Sequence, residues 1–384
     1  MVSLRTAFYL LFLSLVSTAT AITPAPPALG ATGYILVDYH TGQVIAENNA
    51  DKTLPPASLT KMMTGYVVSH EIANGTISLT DQVTVSENAW AKNFPESSKM
   101  FIEVGKQVSV DELLKGLIIS SGNDASVALA EHVAGSEDSF AQVMNHHAQK
   151  LGMTNTVFVN SHGLTAEGHQ TTARDMSLLA AALIRDYPEE YALYQEKKYT
   201  YNNIPQYNRN RLLWDKSLNV DGIKTGHTEA AGYCLVSSAT KDNMRLIAVV
   251  MGARSDEARK TESKKLLSYG FRFFETATPL KANTEVHQAR VWGGEVEQAK
   301  LGVISEVKLT IPRGQRKNVK ANFEVKKELE APINKGDEVG KIIFTLDGDT
   351  IAEKPLVALE TVLEGGFFTQ AFDGISRWFS ELFE

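Results

Sequence analysis

One stretch of this chain carries the strongest prediction of its fold and chemistry: Pro56-Ala57-Ser58-Leu59-Thr60-Lys61. A proline-rich approach gives way here to an apolar run from Met62 to Val68. If that run is helical, Ser58 and Lys61 lie one turn apart on the same face, and the amine is within reach of the hydroxyl. A lysine activates a serine only after losing its own proton, and lowering its pKa from about 10.4 to about 7 takes about 4.6 kcal/mol. The pair therefore requires burial or a second cation nearby.

The Ser-x-x-Lys pattern is weak alone, because residues 238–241 and 305–308 match it as well. Two further motifs follow Ser58 in order. The second motif, Ser120-Ser121-Gly122-Asn123-Asp124, separates two apolar helical runs. It would place a hydroxyl and a carboxamide at the edge of a cleft, or it would only cap a helix. Lys224-Thr225-Gly226 offers a cation and a hydroxyl on a strand that its glycine lets a substrate approach, or it belongs to an ordinary hairpin.

These three motifs in this order are the trio found in class A β-lactamases and penicillin-binding proteins. The chain resembles the D-alanyl-D-alanine carboxypeptidases, low-molecular-mass penicillin-binding proteins of the penicillin-binding protein five and six type. The resemblance covers nearly the whole chain and extends to residues 221–228 and 270–276. It implies an α/β (α+β) catalytic domain of the transpeptidase-like, serine β-lactamase-like fold, followed by a small all-β domain and a C-terminal amphipathic helix.

The resemblance also implies a reaction. Ser58 would attack the carbonyl of the terminal D-Ala-D-Ala bond of a peptidoglycan pentapeptide stem, and Lys61 would accept its proton. Ser121 would relay a proton to the leaving amine. An acyl-enzyme would form and be released by water, and β-lactam antibiotics would acylate the same serine. The resemblance implies neither a cofactor nor a metal.

Six further residues are implied to bind the substrate: Asn123, Lys224, Thr225, Gly226, His227 and Arg259. Asn123 would hold a substrate amide, and Lys224 would raise the local positive potential. The backbone N–H groups of Ser58 and His227 would form the oxyanion hole, while Thr225 and Arg259 would receive the terminal carboxylate. Arg259 could instead form a surface ion pair with Asp256 or Glu262, and the side chain of His227 could be purely structural.

Composition limits the alternatives. The 384 residues are 43% apolar and 22% charged, which suits two globular domains, and the net charge of −7 argues against nucleic-acid binding. Cys234 is the only cysteine, so no internal disulfide is possible. His70-Glu71 begins a zinc-protease pattern, but Asn74 stands where the second histidine should be.

Both ends of the chain predict an exported protein at a membrane surface. Residues 1–21 have the short apolar run and small-residue cleavage site of a secretory signal. Residues 364–384 predict an amphipathic helix with Phe368, Phe372 and Phe379 on one face. Its acidic excess weakens docking to anionic lipid, and docking on the chain's own β domain or on another subunit remains an alternative. The expected location is the periplasmic face of the bacterial inner membrane, with peripheral attachment.

Between these ends, we expect a serine D,D-peptidase catalytic domain over residues 22–280 and a β-rich domain over 281–363. A linker is predicted around Pro279 and residues 281–285. The polar segment 86–105 is long enough to be a functional loop, and in the family it borders the active site. The catalytic domain is expected to begin with strands over residues 33–38 and 43–47. Helices should follow over 58–74, from the capping box at 109–112 to the break at Ser121, and over 136–151 and 172–186. Strands should return over 224–225, 232–237 and 245–251, before a last helix over 255–274.

Two other functions remain open. A β-lactamase shares the acylation step, but class A enzymes use a glutamate with a nearby asparagine between the second and third motifs, which residues 167–171 do not supply. A non-catalytic envelope protein that binds muropeptides is the second alternative. Incubation with a labelled penicillin would distinguish the three functions. A stable adduct at Ser58 would indicate the carboxypeptidase, rapid turnover of the drug would indicate the β-lactamase, and the absence of an adduct would indicate the binding protein.

Overall fold

The structure is a computed structural model and describes residues 23–367. The helices of this part of the chain are α1 (Thr60–Ala73), α2 (Val110–Lys115), α3 (Asn123–Ala134), α4 (Glu137–Lys150), α5 (Ala173–Asp186), α6 (Pro188–Tyr191) and α7 (Asp256–Phe273). The strands of the first 253 residues are β1 (Gly33–Asp38), β2 (Val44–Asn48), β3 (Gln82–Thr84), β4 (Gln107–Ser109), β5 (Lys198–Tyr201), β6 (Ile204–Tyr207), β7 (Asn219–Thr228), β8 (Gly232–Lys241) and β9 (Met244–Ala253). The later strands are β10 (Phe274–Leu280), β11 (Thr284–Trp292), β12 (Gln298–Val303), β13 (Val307–Pro312), β14 (Val319–Val325), β15 (Leu329–Glu330), β16 (Glu338–Leu346) and β17 (Asp349–Ala358).

A five-stranded antiparallel sheet in the order β2-β1-β9-β8-β7 is the centre of what we call the N-terminal module, which includes α1 to α7. Strand β1, the first strand of this sheet along the chain, therefore pairs with β9, its last strand, as the order of predicted elements suggested. Strand β7, which carries the Lys-Thr-Gly motif, lies at one edge of the sheet.

Both faces of this sheet are covered, because alternate residues of its central strands are apolar on both sides. Ile35 and Val249 belong to the larger core, which they share with α1 to α5. Leu36 and Val250 point the other way and pack with Leu267 of α7. The result is the mixed α/β fold that the sequence predicted.

The first ten residues of helix α1 are buried on all sides. Each residue from Thr60 to Ser69 is buried, and the helix contacts α3, α4 and α5. A helix without a solvated face places every side chain in the interior, whatever its polarity. Lys61 is therefore carried into the core by the fold itself.

The C-terminal module is β-rich, as predicted. Its six-stranded sheet has the order β14-β16-β17-β12-β11-β15, and β10 pairs with β13 beside it. The linker predicted at Pro279 and residues 281–285 was wrong. Pro279 lies within β10, where backbone hydrogen bonds to β13 outweigh the turn preference of the proline. Thr284 is already the first residue of β11. The domain boundary at residue 280 stays a prediction.

The two modules meet at a buried carboxylate at the end of β1. Asp38 is fully buried, and its Oδ2 accepts hydrogen bonds from the hydroxyls of Thr276, at 2.6 Å, and Thr310, at 2.8 Å. Thr276 lies on β10 and Thr310 on β13. A buried carboxylate is tolerated only when such donors satisfy it, so this contact ties the sheet of one module to the other.

The predicted secretory signal, residues 1–21, and most of the predicted amphipathic helix, residues 368–384, lie outside the described residues. Between residues 23 and 367, no helix is both long and apolar enough to cross a membrane.

Candidate active site

Ser58 lies in a short 3-10 turn, Ala57–Leu59, directly before α1. The preceding residue, Ala57, has a left-handed φ of 49°, a backbone conformation that costs energy for a residue with a side chain and is concentrated at functional sites. Lys61 is in the first turn of α1, and its Nζ is 3.3 Å from Ser58 Oγ. The structure thus brings the predicted pair together.

Two acceptors orient the amine of Lys61. Its Nζ donates to Asn123 Oδ1 at 2.6 Å and to the carbonyl oxygen of His162 at 2.5 Å. In its charged form Lys61 also donates to Ser58 Oγ. Once neutral, the amine has two N–H groups for these two acceptors, and its lone pair is then available to the Ser58 hydroxyl. Burial lowers the pKa of Lys61 to about 7, with Asp124 opposing this change and Arg209 adding to it.

Ser121 stands at the end of a π-helical turn, Gly116–Ser120, and has a left-handed φ of 61°. This conformation ends the turn and lets Gly122 lead into α3, so that Ser121 and Asn123 both face the nucleophile. Lys224 Nζ donates to Ser121 Oγ at 2.8 Å. Burial, and then the charge of Lys61, hold the pKa of Lys224 well below its usual range.

Strand β7, which carries the Lys-Thr-Gly motif, passes close to the 3-10 turn that carries Ser58, which we call the nucleophile turn. A Cβ at Gly226 would lie 3.0 Å from the carbonyl oxygen of Pro56, so only glycine allows this approach without displacement. Thr225 is buried at the wall of the cleft. The ring of His227 is exposed and stacks on Tyr233 with centroids 3.9 Å apart, an arrangement that gives the side chain a packing role.

Arg259 projects from α7 behind the same strand. Its Nη1 donates to the carbonyl oxygen of Gly226 at 3.0 Å, and its Nη2 pairs with Asp256. The ion pair foreseen as an alternative therefore exists, yet the side chain of Arg259 is only 9% exposed and borders the cleft. The role of Arg259 as the carboxylate-binding residue stays a prediction.

Ser58 opens into a cavity of about 440 Å³. Seven of the nine predicted site residues line it: Ser58, Ser121, Asn123, Thr225, Gly226, His227 and Arg259. The remaining two, Lys61 and Lys224, lie buried behind this lining and contact Ser58 and Ser121. The geometry suits a nucleophilic hydroxyl with a neutral amine as its base.

Sequence reasoning missed several residues of this cavity, among them Glu96, Ser97, Ser98 and Arg209. The first three come from the long loop predicted to be functional, and Ser97 Oγ accepts from Asn123 Nδ2 at 2.8 Å. Arg209 follows the β5–β6 hairpin, and nothing in its local sequence pointed to the cleft.

Asp124 holds this loop in place. Its buried carboxylate accepts the backbone N–H groups of Met100, Phe101 and Ile102 at 2.7, 2.8 and 3.2 Å. The backbone N–H of Asn123 also donates to the carbonyl oxygen of Ser98 at 2.9 Å. The second motif therefore fixes the loop as well as supplying Ser121 and Asn123, a role that its aspartate, next to the asparagine, could have suggested.

Residues 23–367 contain no group of three His, Cys, Asp or Glu side chains placed to hold a metal ion. His70, the start of the zinc-protease pattern, instead shares hydrogen bonds with Tyr187 and Asn74. Cys234 is fully buried, and burial raises the pKa of its thiol to about 11.

Comparison with known proteins agrees with this geometry. A family model described as D-alanyl-D-alanine carboxypeptidase matches residues 20–255, and one described as penicillin-binding protein 5, C-terminal domain, matches residues 274–364. The chain is 51% identical to the D-alanyl-D-alanine carboxypeptidase DacC of Escherichia coli K12 over 381 residues, which is 98% of this chain and 95% of the relative. It is also 51% identical to DacA of the same strain over 364 residues, 94% of this chain and 90% of that protein. Penicillin-binding protein 5 of Haemophilus influenzae, a solved structure, superimposes with a TM-score of 0.86 at 49% identity, covering 89% of this chain and all of its own. The chain therefore belongs to the D-alanyl-D-alanine carboxypeptidase family.

Proposed function

We propose that this protein is a serine-type D-Ala-D-Ala carboxypeptidase that works through an acyl-enzyme on Ser58. The observation that carries the proposal is the amine of Lys61, which lies 3.3 Å from Ser58 Oγ and has a pKa lowered to about 7. At neutral pH a large share of this amine is unprotonated and able to take the serine proton. The curated relatives are named for the same activity.

Acylation joins Ser58 Oγ to the carbonyl carbon of the penultimate D-alanine and breaks the C–N bond to the last D-alanine. Lys61 accepts the hydroxyl proton, and the leaving amine receives a proton through Ser121. Lys224, 2.8 Å from Ser121 Oγ, orients that hydroxyl. Water then hydrolyses the ester and releases the shortened stem.

The substrate's terminal carboxylate requires cations beyond the scissile bond. Arg259 and the hydroxyl of Thr225 are proposed to receive it, and Arg209, which lines the same cavity, adds positive potential. The backbone N–H groups of Ser58 and His227 are proposed as the oxyanion hole, since Gly226 brings strand β7 against the nucleophile turn. Each such donor typically contributes about 3 to 4 kcal/mol.

β-Lactams are proposed to acylate the same serine, consistent with the name of the Haemophilus structure. The decisive experiment is incubation with a labelled penicillin, followed by peptide mapping and by measurement of D-alanine release from a pentapeptide. We expect a persistent adduct on Ser58, none in Ser58→Ala, and release of one D-alanine per peptide. Rapid turnover of penicillin would favour a β-lactamase, and absence of any adduct would favour a muropeptide-binding protein.

We further propose export to the periplasm and peripheral attachment to the inner membrane. The proposal rests on the signal-like residues 1–21 and on the apolar spacing of phenylalanines in residues 364–384. Deletion of residues 368–384 should move the protein from the membrane fraction to the soluble periplasmic fraction. Unchanged membrane association would refute the role of this tail.

A further inference from the structure

Charged side chains of both signs line the cavity beside Ser58. Arg209 and Arg259 are the cations of this lining, and Lys224 is buried behind it. Glu96 is the one carboxylate side chain that lines the cavity within residues 23–367. A negative charge in a cleft that receives an anionic substrate terminus costs affinity unless it meets a cation. The position of Glu96 therefore calls for a positively charged partner.

No residue of the described chain supplies that partner. Glu96 is exposed to the cleft, and no hydrogen bond or ion pair joins its carboxylate to any side chain in residues 23–367. Most other cavity-facing polar groups are already engaged, as Ser97 is with Asn123 and Arg259 with Asp256. Glu96 is thus free to interact with a ligand.

The segment that carries Glu96 is fixed from both sides. Lys99 Nζ donates to the carbonyl oxygens of Phe94 and Pro95 at 2.9 and 3.1 Å, which closes the loop around Glu96. Ser97 and Ser98 are hydrogen-bonded to the side chain and backbone of Asn123. A residue held this way presents its charge at a defined place, which is the requirement for selecting a substrate group.

The direction of the bound peptide identifies which substrate group passes Glu96. If the proposed function is correct, the terminal carboxylate lies toward Arg259 and the amide on the acyl side lies against Asn123. Ser97 contacts Asn123, and Glu96 is its neighbour in the chain. The residue that precedes D-Ala-D-Ala in the stem therefore leaves the catalytic centre on the Glu96 side.

We propose that Glu96 selects stem peptides in which the residue preceding D-Ala-D-Ala carries a free side-chain ammonium. This inference rests on the proposed function and specifies its substrate class. Stems whose amine is already acylated, as in a cross-link, would lose this contact and be processed less efficiently. The enzyme would then act preferentially on stems that have not yet accepted a cross-link at that amine.

The test compares two synthetic pentapeptides that end in Lys-D-Ala-D-Ala and differ only in acetylation of the lysine side-chain amine. Because a partly exposed ion pair contributes up to about 1 kcal/mol, we expect kcat/KM for D-alanine release to be about three- to fivefold higher for the free amine at low salt. Glu96→Gln should bring this ratio close to one, and Glu96→Lys should reverse it. Glu103→Gln, an exposed glutamate of the same loop that does not line the cavity, should keep the wild-type ratio.

The outcomes separate this inference from the proposed function. Equal rates for both peptides in the wild type, or a preference that survives in Glu96→Gln, would overturn the role of Glu96. Formation of the penicillin adduct by each variant would establish that it is folded. If the wild type released D-alanine from neither peptide, the proposed function would be refuted instead.

Discussion

Arg209→Gln should shift the pH dependence of acylation to higher pH. The amine of Lys61 acts as a base only when neutral, so the rate of acylation should rise with pH through its pKa and level off above it. The positive charge of Arg209 disfavours the ammonium of Lys61 and helps to lower its pKa, while Asp124 has the opposite effect. Removing the arginine charge therefore raises this pKa, and Asp124→Asn should lower it.

The magnitude follows from the buried position of Lys61. Its pKa falls from 10.5 to about 7, a change of about 5 kcal/mol in the balance between ammonium and amine. At pH 7.4 the neutral fraction is then roughly 70%, against about 0.1% for an ordinary lysine. Burial is the largest cause of this change. A single screened charge at the edge of the cleft contributes about 0.5 to 1 kcal/mol, so the shift for Arg209→Gln is about half a pH unit.

The assay is the second-order rate of acylation by a fluorescent penicillin between pH 5 and pH 10. The wild-type rate should increase about tenfold per pH unit below pH 7 and reach a plateau near pH 8. Because only the position of the curve is compared, a change in drug affinity does not affect the conclusion. A wild-type midpoint above pH 9, or shifts of the two variants in the same direction, would refute the assignment of Lys61 as the base.

Three further predictions test single contacts. Ser97→Ala removes the 2.8 Å contact with Asn123 Nδ2 and should slow acylation about fivefold, since a hydrogen bond of this kind contributes about 1 kcal/mol; a change in melting temperature without a change in rate would contradict it. Gly163→Ala should lower the free energy of unfolding, measured in urea, by at least about 2 kcal/mol, because φ is +88° and the new Cβ would lie 1.9 Å from the carbonyl oxygen of Ala57. The control Gly168→Ala has a φ of +77° but open space around the new Cβ, so it should lower the same free energy by only about 1 kcal/mol. Thr276→Val removes a donor from the buried Asp38 and should lower the free energy of unfolding by about 1 to 3 kcal/mol; an unchanged urea midpoint would show that the contact is not stabilising.

Most of the fold could be predicted because its strands and helices have strong local patterns. Strand β1 and helices α4, α5 and α7 lie within two residues of their predicted bounds at each end. The short strands β3 and β4 and the β5–β6 hairpin were not predicted. In the hairpin, Asn202 and Asn203 both have positive φ, which is the requirement of a two-residue hairpin turn. Adjacent asparagines were therefore a usable signal.

The sequence motifs predicted side chains that the structure brings together, whereas residues that reach the cleft only through tertiary structure were missed. The nine predicted residues converge because α1, the π-helical turn and β7 meet at one point. Arg209 and the carbonyl oxygen of His162 enter the site from connecting segments whose position is set by the surrounding helices and strands. A backbone carbonyl in particular carries no side-chain signature, so its role as an acceptor for Lys61 appears only in three dimensions.

The buried carboxylate of Asp38 has a practical consequence for dissecting this protein. A fragment cut before β10, made for inhibitor screening or crystallisation, would keep Asp38 but lose both threonine hydroxyls that satisfy it. A fragment that keeps both contacts of this carboxylate would have to retain the chain through β13.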